Sequence, residues 1–476
     1  MPSLSRYHGN TNSTVALRMV NKSLSELYKA VCVEHQIKLN PDILEVLEKT
    51  KVSENFTLKL TGNNRLRHIQ RLNDGDALVV SKCLQNNKCV TGLDVRYNNI
   101  TNEAVKHLVD LLQQDKNSAL RTLDLMFNNI ESDGAEVLAN CLQCNCSLLT
   151  LRLSGNKIRN RGGMHLASML QVNNTLQELE MADCDLVSTG FLTLCECEHS
   201  QQVAVSLSFF LSLQATQSVI AFSIVLKSNK ALRSFDISRP LLFSHQEEWA
   251  VRFSEMLAVN SSLVELHLGK MGMTNTGMEK LTEGLRLNRS LRFLDLRCNR
   301  VTQDGVRLLA EVLKQNTALE ILDLSSNRIE DEGAVYLSEA ITWPGCTLRE
   351  LSVISNNIRT EGLVSLAQAL KANATLTHIY IWGNHLEQPV CQAFGELISS
   401  GRLSPEQTDV SPYKVDSQVF LAEVFHSLRK RFYSMDTNSS DTCSNSDTSL
   451  VNATGMSTDV AGTSPDAPLV PLQSYW

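Results

Sequence analysis

The sequence predicts an α/β fold: a right-handed solenoid bent into a horseshoe, with parallel strands on its concave face and helices on its convex face. Three observations predict it. An eleven-residue frame, apolar-x-x-apolar-x-apolar-x-x-Asn-x-apolar, recurs ten times with some variation, as in LRTLDLMFNNI from Leu120 and LEILDLSSNRI from Leu319. Copies begin at one constant interval at Leu120, Leu148 and Leu176, again at Leu263, Leu291 and Leu319, and from Leu348 to Leu376. Most frames are followed by a glycine and an amphipathic run such as VRLLAEVLKQN at 306–316. A fixed period of this length is the signature of stacked repeats, each too small to bury its own apolar face.

Every part of the frame has a mechanical role. Leu322 and Leu324, one residue apart, fall on one face of a short strand, and Asp323 and Ser325 fall on the other. The amide of Asn327 is suited to satisfying backbone groups where the chain leaves the strand and its polar groups would otherwise be buried unpaired. Leu308, Leu309, Val312 and Leu313 share a helical face. Strands stack about 4.8 Å apart and packed helices roughly 8–10 Å apart, so the two sides of the stack advance unequally and it must bend.

From the N-terminus, residues 1–54 are expected to form a helical cap with a flexible start. Their 23–50 stretch has helical spacing broken at Pro41, and it would shield the apolar edge of the first repeat. A solenoid of about eleven repeats is expected over 55–402, beginning with a weak copy at Phe56 and continuing from Val90 through Leu376. Between Leu176 and Leu232 the interval doubles. Joining Leu186 directly to Ala215 restores a well-formed helix half, so 187–214 reads as a divergent segment, either a degenerate repeat or a looped insert. The C-terminal capping segment is placed at 403–433. There the spacing of Phe420, Val424 and Leu428 suggests a helix, and a short hairpin around Asp416–Ser417 is the competing reading. From 434 to 476 the chain is Ser/Thr/Asp-rich without lysine or arginine, which predicts disorder.

Composition excludes several function classes. The 476 residues are 43% hydrophobic with a net charge of −7, so a basic nucleic-acid binder is not expected and no direct nucleic-acid contact is assigned. The longest apolar run, VAVSLSFFLSL at 203–213, is too short to span a bilayer, and the opening residues are polar. An intracellular protein, cytoplasmic or nuclear, without a membrane partner is expected. Thirteen scattered cysteines suit reduced thiols. CECEH at 195–199 lacks a second ligand pair, and the thiols of CLQCNC (Cys141, Cys144, Cys146) read as core fillers, so no metal and no cofactor are assigned. Phosphate-loop, HExxH, GxSxG and dinucleotide motifs are all missing from the sequence. No catalytic residues are assigned.

The period of about 28 residues, the LxLxxN or LxLxxC strand and the glycine-led helix together resemble the ribonuclease-inhibitor-like leucine-rich repeats. That subfamily includes the ribonuclease inhibitor, the Ran GTPase-activating protein and the sensor arms of innate-immune receptors. The resemblance covers about Asn55 to Leu386. It implies a monomeric protein-interaction module, a scaffold, adaptor or inhibitor, that grips its partner on the concave wall, with a GTPase-activating role as the alternative.

Water-facing strand positions define that wall. Asp94, Asp124, Glu178, Glu180, Asp183, Asp236, Glu265, Asp295, Asp323 and Glu350 outnumber Arg96, Arg152, Arg239, Lys270 and Arg297, a net of −5 that favours a basic protein partner. Aspartate in this slot also has a plainer use, keeping the strand wet. Aromatic groups point more sharply to an interface. Tyr97 and Phe127 hold equivalent positions in neighbouring repeats, Phe293 stands mid-wall, and His378, Tyr380 and Trp382 cluster at the far end, where packing under the cap is the competing explanation.

Overall fold

The computed structural model describes residues 23–50, 55–63, 68–113, 119–145, 147–186, 217–240, 247–426 and 428. Eleven parallel strands form one sheet in sequence order: β1 (Phe56–Lys59), β2 (Val90–Asp94), β3 (Thr122–Asp124), β4 (Thr150–Arg152), β5 (Glu178–Glu180), β6 (Ser234–Asp236), β7 (Glu265–His267), β8 (Phe293–Asp295), β9 (Ile321–Asp323), β10 (Glu350–Ser352) and β11 (His378–Tyr380). Consecutive helices pack on one another across the other side. This is the leucine-rich-repeat solenoid. Its core is the column of frame leucines, Leu294, Leu322 and Leu351 among them, all fully buried.

Two asparagine ladders tie the repeats together. In the first, the Asn327 Nδ2 donates to the carbonyls of Leu296 (3.0 Å) and Leu324 (2.9 Å), and its Oδ1 accepts the Val301 N–H at 3.2 Å. Asn98, Asn128, Asn156, Asn299, Asn356 and Asn384 do likewise in their own repeats. Sequence reading did not anticipate the second ladder, which lies at the helix ends. There Asn173 Nδ2 donates to the Leu142 carbonyl at 2.7 Å, and Oδ1 accepts from the N–H groups of Thr175 and Leu176. Asn229, Asn260, Asn288, Asn316 and Asn373 repeat the arrangement. The recurring Asn-x-Ser/Thr triplets therefore reflect a buried structural bond.

The doubled interval leaves no trace in the strand pairing. Although twice the usual length of chain separates β5 from β6, they pair directly, Glu178 with Ser234 and Leu179 with Phe235. A helix at Gln217–Leu226 completes that repeat. The divergent segment 187–214, CECEH included, lies outside the described residues.

Both ends of the array are finished by other means. At the start, helices at Leu24–Glu34 and Pro41–Lys49 precede β1, the first closed by a Ser23–Glu26 capping box and the second by Asn40 with Pro41 at its first turn. At the far end stand β12 (Val410–Val415) and β13 (Gln418–Glu423), an antiparallel pair, where the spacing of Phe420, Val424 and Leu428 suggests a helix. Turn chemistry decides the difference: Asp416 and Ser417 both hold positive φ, 49° and 69°, as a tight two-residue hairpin turn requires. The Asp409 carboxylate then accepts the N–H groups of Ile381 and Trp382, both at 2.9 Å, the first of them equivalent to the Val353 N–H that donates to a carbonyl of the next repeat. Arg402 donates to the carbonyls of Leu370 and Leu376, each at 2.8 Å, replacing the next ladder asparagine.

Candidate functional site: the concave wall

At the N-terminal end of the wall, Tyr97 and Phe127 stack face to face, ring centroids 4.6 Å apart and planes 4° from parallel. Both sit at positive φ (61° and 51°) in the turn just after their strands, a conformation this turn position also takes at Asp183, Arg239, Lys270, Cys298, Ser326 and Ser355. The equivalent slot of the next repeat is Gly155, and a Cβ there would lie 2.4 Å from the Phe127 ring. Glycine thus leaves room for the Phe127 ring between Tyr97 and the next repeat. Phe127 remains 42% exposed and Tyr97 is half-buried.

Beside the stack lie Asp94 and Asp124, paired across β2 and β3. Burial, then the neighbouring Asp94, pushes the Asp124 carboxyl above the ordinary range. The wall aspartates also serve the backbone. Asp94, Asp124, Asp236, Asp295 and Asp323 each accept the N–H two residues on, at 2.9–3.3 Å.

The acidic wall is also neutralised from within more than composition implied. With strands about 4.8 Å apart, side chains in one slot of adjacent repeats reach each other. Arg152 lies 3.1 Å from Glu178, 3.6 Å from Glu180 and 3.7 Å from Asp124. Arg96 pairs with Asp94, Arg239 with Asp183, and Arg297 with Asp295. His267, absent from the sequence-based set, occupies an aspartate slot and adds a positive group: Nε2 stands 2.6 Å from Glu265 and Nδ1 3.2 Å from Asp295. Burial opposes charging of this ring, but the bonds to Asp295 and Glu265 outweigh it and raise it to about 10. Asp323 is pushed up by burial and by Asp295, and among the described residues it forms no ion pair.

Two of the expected anchors are not presented to solvent. Phe293 and Tyr380 are each 2% exposed and form one apolar cluster with Ile321, Leu428 and the flanking Ile354. Phe293 is therefore not isolated, and His267 meets it edge-on at 4.9 Å. Trp382 packs, half-buried, against the main core instead, and His378 is half-buried with Nδ1 2.8 Å from the Thr377 hydroxyl. Among the described residues no group of three or more His, Cys, Asp or Glu side chains is arranged to hold a metal ion.

Six segments, 86–109, 116–139, 144–167, 287–310, 315–338 and 346–367, match the leucine-rich repeat family model. Mouse leucine-rich repeat-containing protein 34 is 44% identical over 418 residues, 87% of this chain and 94% of the mouse protein. The human protein of that name is 42% identical over 416 residues, 86% of this chain and 83% of the human one. The chain belongs to the leucine-rich repeat-containing protein 34 family. Among solved structures, the tropomodulin C-terminal domain of Caenorhabditis elegans aligns at TM-score 0.27 and 18% identity, over 33% of this chain and 92% of that one.

Sequence reading of this family member missed His267, Glu265 as its partner, and Leu428 as a wall residue. Aligning the repeats column by column exposes the first two, since imidazole stands where other repeats carry carboxylate. No local signal reveals the third. Leu428 lies more than a full repeat length beyond Tyr380, the nearest of its cluster partners in sequence.

Proposed function

We propose that this protein is an intracellular protein-interaction module whose partner docks on the N-terminal half of the concave wall, over the Tyr97–Phe127 stack. Leucine-rich repeats generally mediate protein–protein binding. The observation that carries the assignment to this half is the stack itself: two large rings side by side on the wall, Phe127 42% exposed, with a glycine beside them that leaves the ring room. Exposed aromatic side chains held in place by one another are suited to anchoring an interface. Asp94 and Asp124 stand nearby, already paired with Arg96 and Arg152, so a partner that brings arginine or lysine here exchanges with those two residues.

The test is affinity purification with the wild-type chain and the Tyr97→Ala plus Phe127→Ala double variant, matched for far-UV circular dichroism. The double variant is expected to lose at least one partner in full. Retention of every partner removes the platform from consideration. The GTPase-activating alternative has its own readout, faster GTP hydrolysis by a small GTPase in the presence of the chain.

A further inference from the structure

The C-terminal third of the wall differs from the rest in chemistry. The slot held by Thr122, Thr150, Glu178 and Glu265 in other repeats is held by Phe293 on β8 and Ile321 on β9. On β10 and β11 that slot returns to polar residues, Glu350 and His378, and the apolar patch continues instead two or more residues further along, at Ile354 just after β10 and Tyr380 on β11. Polar residues keep a strand face wet, so an apolar cluster gathered at this end of the wall calls for a cover. Part of that cover is visible. Leu428, 7% exposed, joins Phe293, Ile321 and Tyr380 in a cluster separate from the main core.

The route to it is short. After β13 the Val424 N–H donates to the Asp409 carbonyl at 2.9 Å, which pins the chain beside β11, and Phe425 then stands 80% exposed. Four extended residues from Val424 reach about 14 Å. Three strand spacings, from β11 to β8, cover about the same distance. Directly after Leu428 come Arg429, Lys430 and Arg431, followed by Phe432 and Tyr433. Next to the patch stand Asp295 and Asp323, the latter without an ion-pair partner among the described residues.

We propose that the wall over β8–β11 is a peptide-binding groove for an apolar residue followed by a basic run, and that its resident occupant is the chain's own segment Leu428–Tyr433. Leu428 is the anchor, and the three cations that follow it in sequence are opposite in charge to Asp323, which stands next to the patch. The concave face is thereby divided: its N-terminal half is open and its C-terminal half is filled from within. An outside protein gains the second half only by displacing this segment. The inference stands apart from the Tyr97–Phe127 assignment, since it involves neither those residues nor an external partner.

Trypsin reads it directly in the full-length chain, because cleavage after Arg429, Lys430 or Arg431 requires the segment to leave the wall. Cleavage at these three sites, followed by intact-mass spectrometry, is expected to be at least tenfold slower in the wild type than in Leu428→Asp. Leu428→Ala is expected to fall between them, and raised salt to speed wild-type cleavage. A fluorescein-labelled peptide of residues 426–435 is expected to bind full-length Leu428→Asp at least tenfold more tightly than the wild type, whose groove is occupied. Equal cleavage rates in wild type and both variants, or a peptide that binds Leu428→Asp no better than the wild type, overturns the proposal.

Discussion

Removing the amide of Asn327 tests the mechanical account of the repeat. Its side chain, 6% exposed, satisfies the carbonyls of Leu296 and Leu324 and the N–H of Val301, so it joins two repeats through three backbone groups. Leaving a buried backbone group unsatisfied costs about 1–3 kcal/mol. Water entering the vacated space restores part of this, which leaves a net loss of roughly 3–5 kcal/mol for Asn327→Ala. Asn327→Asp sharpens the test because it keeps the acceptor for Val301, loses both donors and turns a negative charge toward two carbonyls. At neutral pH it is expected to be at least as destabilising as alanine, and to recover partly in acid as a protonated carboxyl regains one donor. Urea unfolding followed by circular dichroism measures the loss, and amide exchange at Val301 locates it. A change below about 1 kcal/mol in Asn327→Ala, with Val301 still protected, would show that the amide does not hold the two repeats together.

Two further outcomes follow from the wall. The His267 ring is raised from its ordinary 6.5 to about 10, so its contribution to stability is complete below pH 6.5 and is lost as pH rises through 10. Thermal unfolding between pH 7 and 10.5 is therefore expected to show a steeper fall for the wild type than for His267→Gln, which starts lower because Glu265 and Asp295 lose their shared partner; parallel curves would remove the ring from the pH response. In Gly155→Ala, the new methyl meets the Phe127 ring and the backbone must hold φ +73° with a side chain, a strain of about 1–2 kcal/mol. The stack is expected to open, with a reduced near-UV aromatic signal and the same partner loss as in the Tyr97→Ala plus Phe127→Ala variant; an unchanged near-UV spectrum would show that the ring does not depend on that space.

The repeat was legible because its determinants are local and periodic. Leu322, Leu324 and Asn327 lie within six residues, and their roles recur at a constant interval, so the strand, the turn and the ladder could be read from one copy and checked on the next. Tyr97 and Phe127 were readable for the same reason: equal offsets in neighbouring repeats place side chains side by side. What escaped was set by contacts between distant parts of the chain. The exposure of Phe293 and Tyr380 depends on Leu428, and no periodicity connects them. The C-terminal hairpin fell between two patterns, since Phe420, Val424 and Leu428 are four apart while the turn signal rests on Asp416 and Ser417 alone. The pairing of wall charges was within reach of column alignment, because Arg152 shares one column with Asp124 and Glu180 and lies a diagonal step from Glu178.

The carboxylate of Asp409 at the last rung bears on how such an array can grow. A terminal strand with bare N–H groups is a template for a further chain, and copies adding there in succession would build a filament. With both oxygens of one side chain seated on Ile381 and Trp382, and Thr408 bridged to Ile379, that stretch of the edge is already taken. Lengthening the protein by design would therefore mean splicing new units upstream of Asp409; appended downstream, they would find no seat.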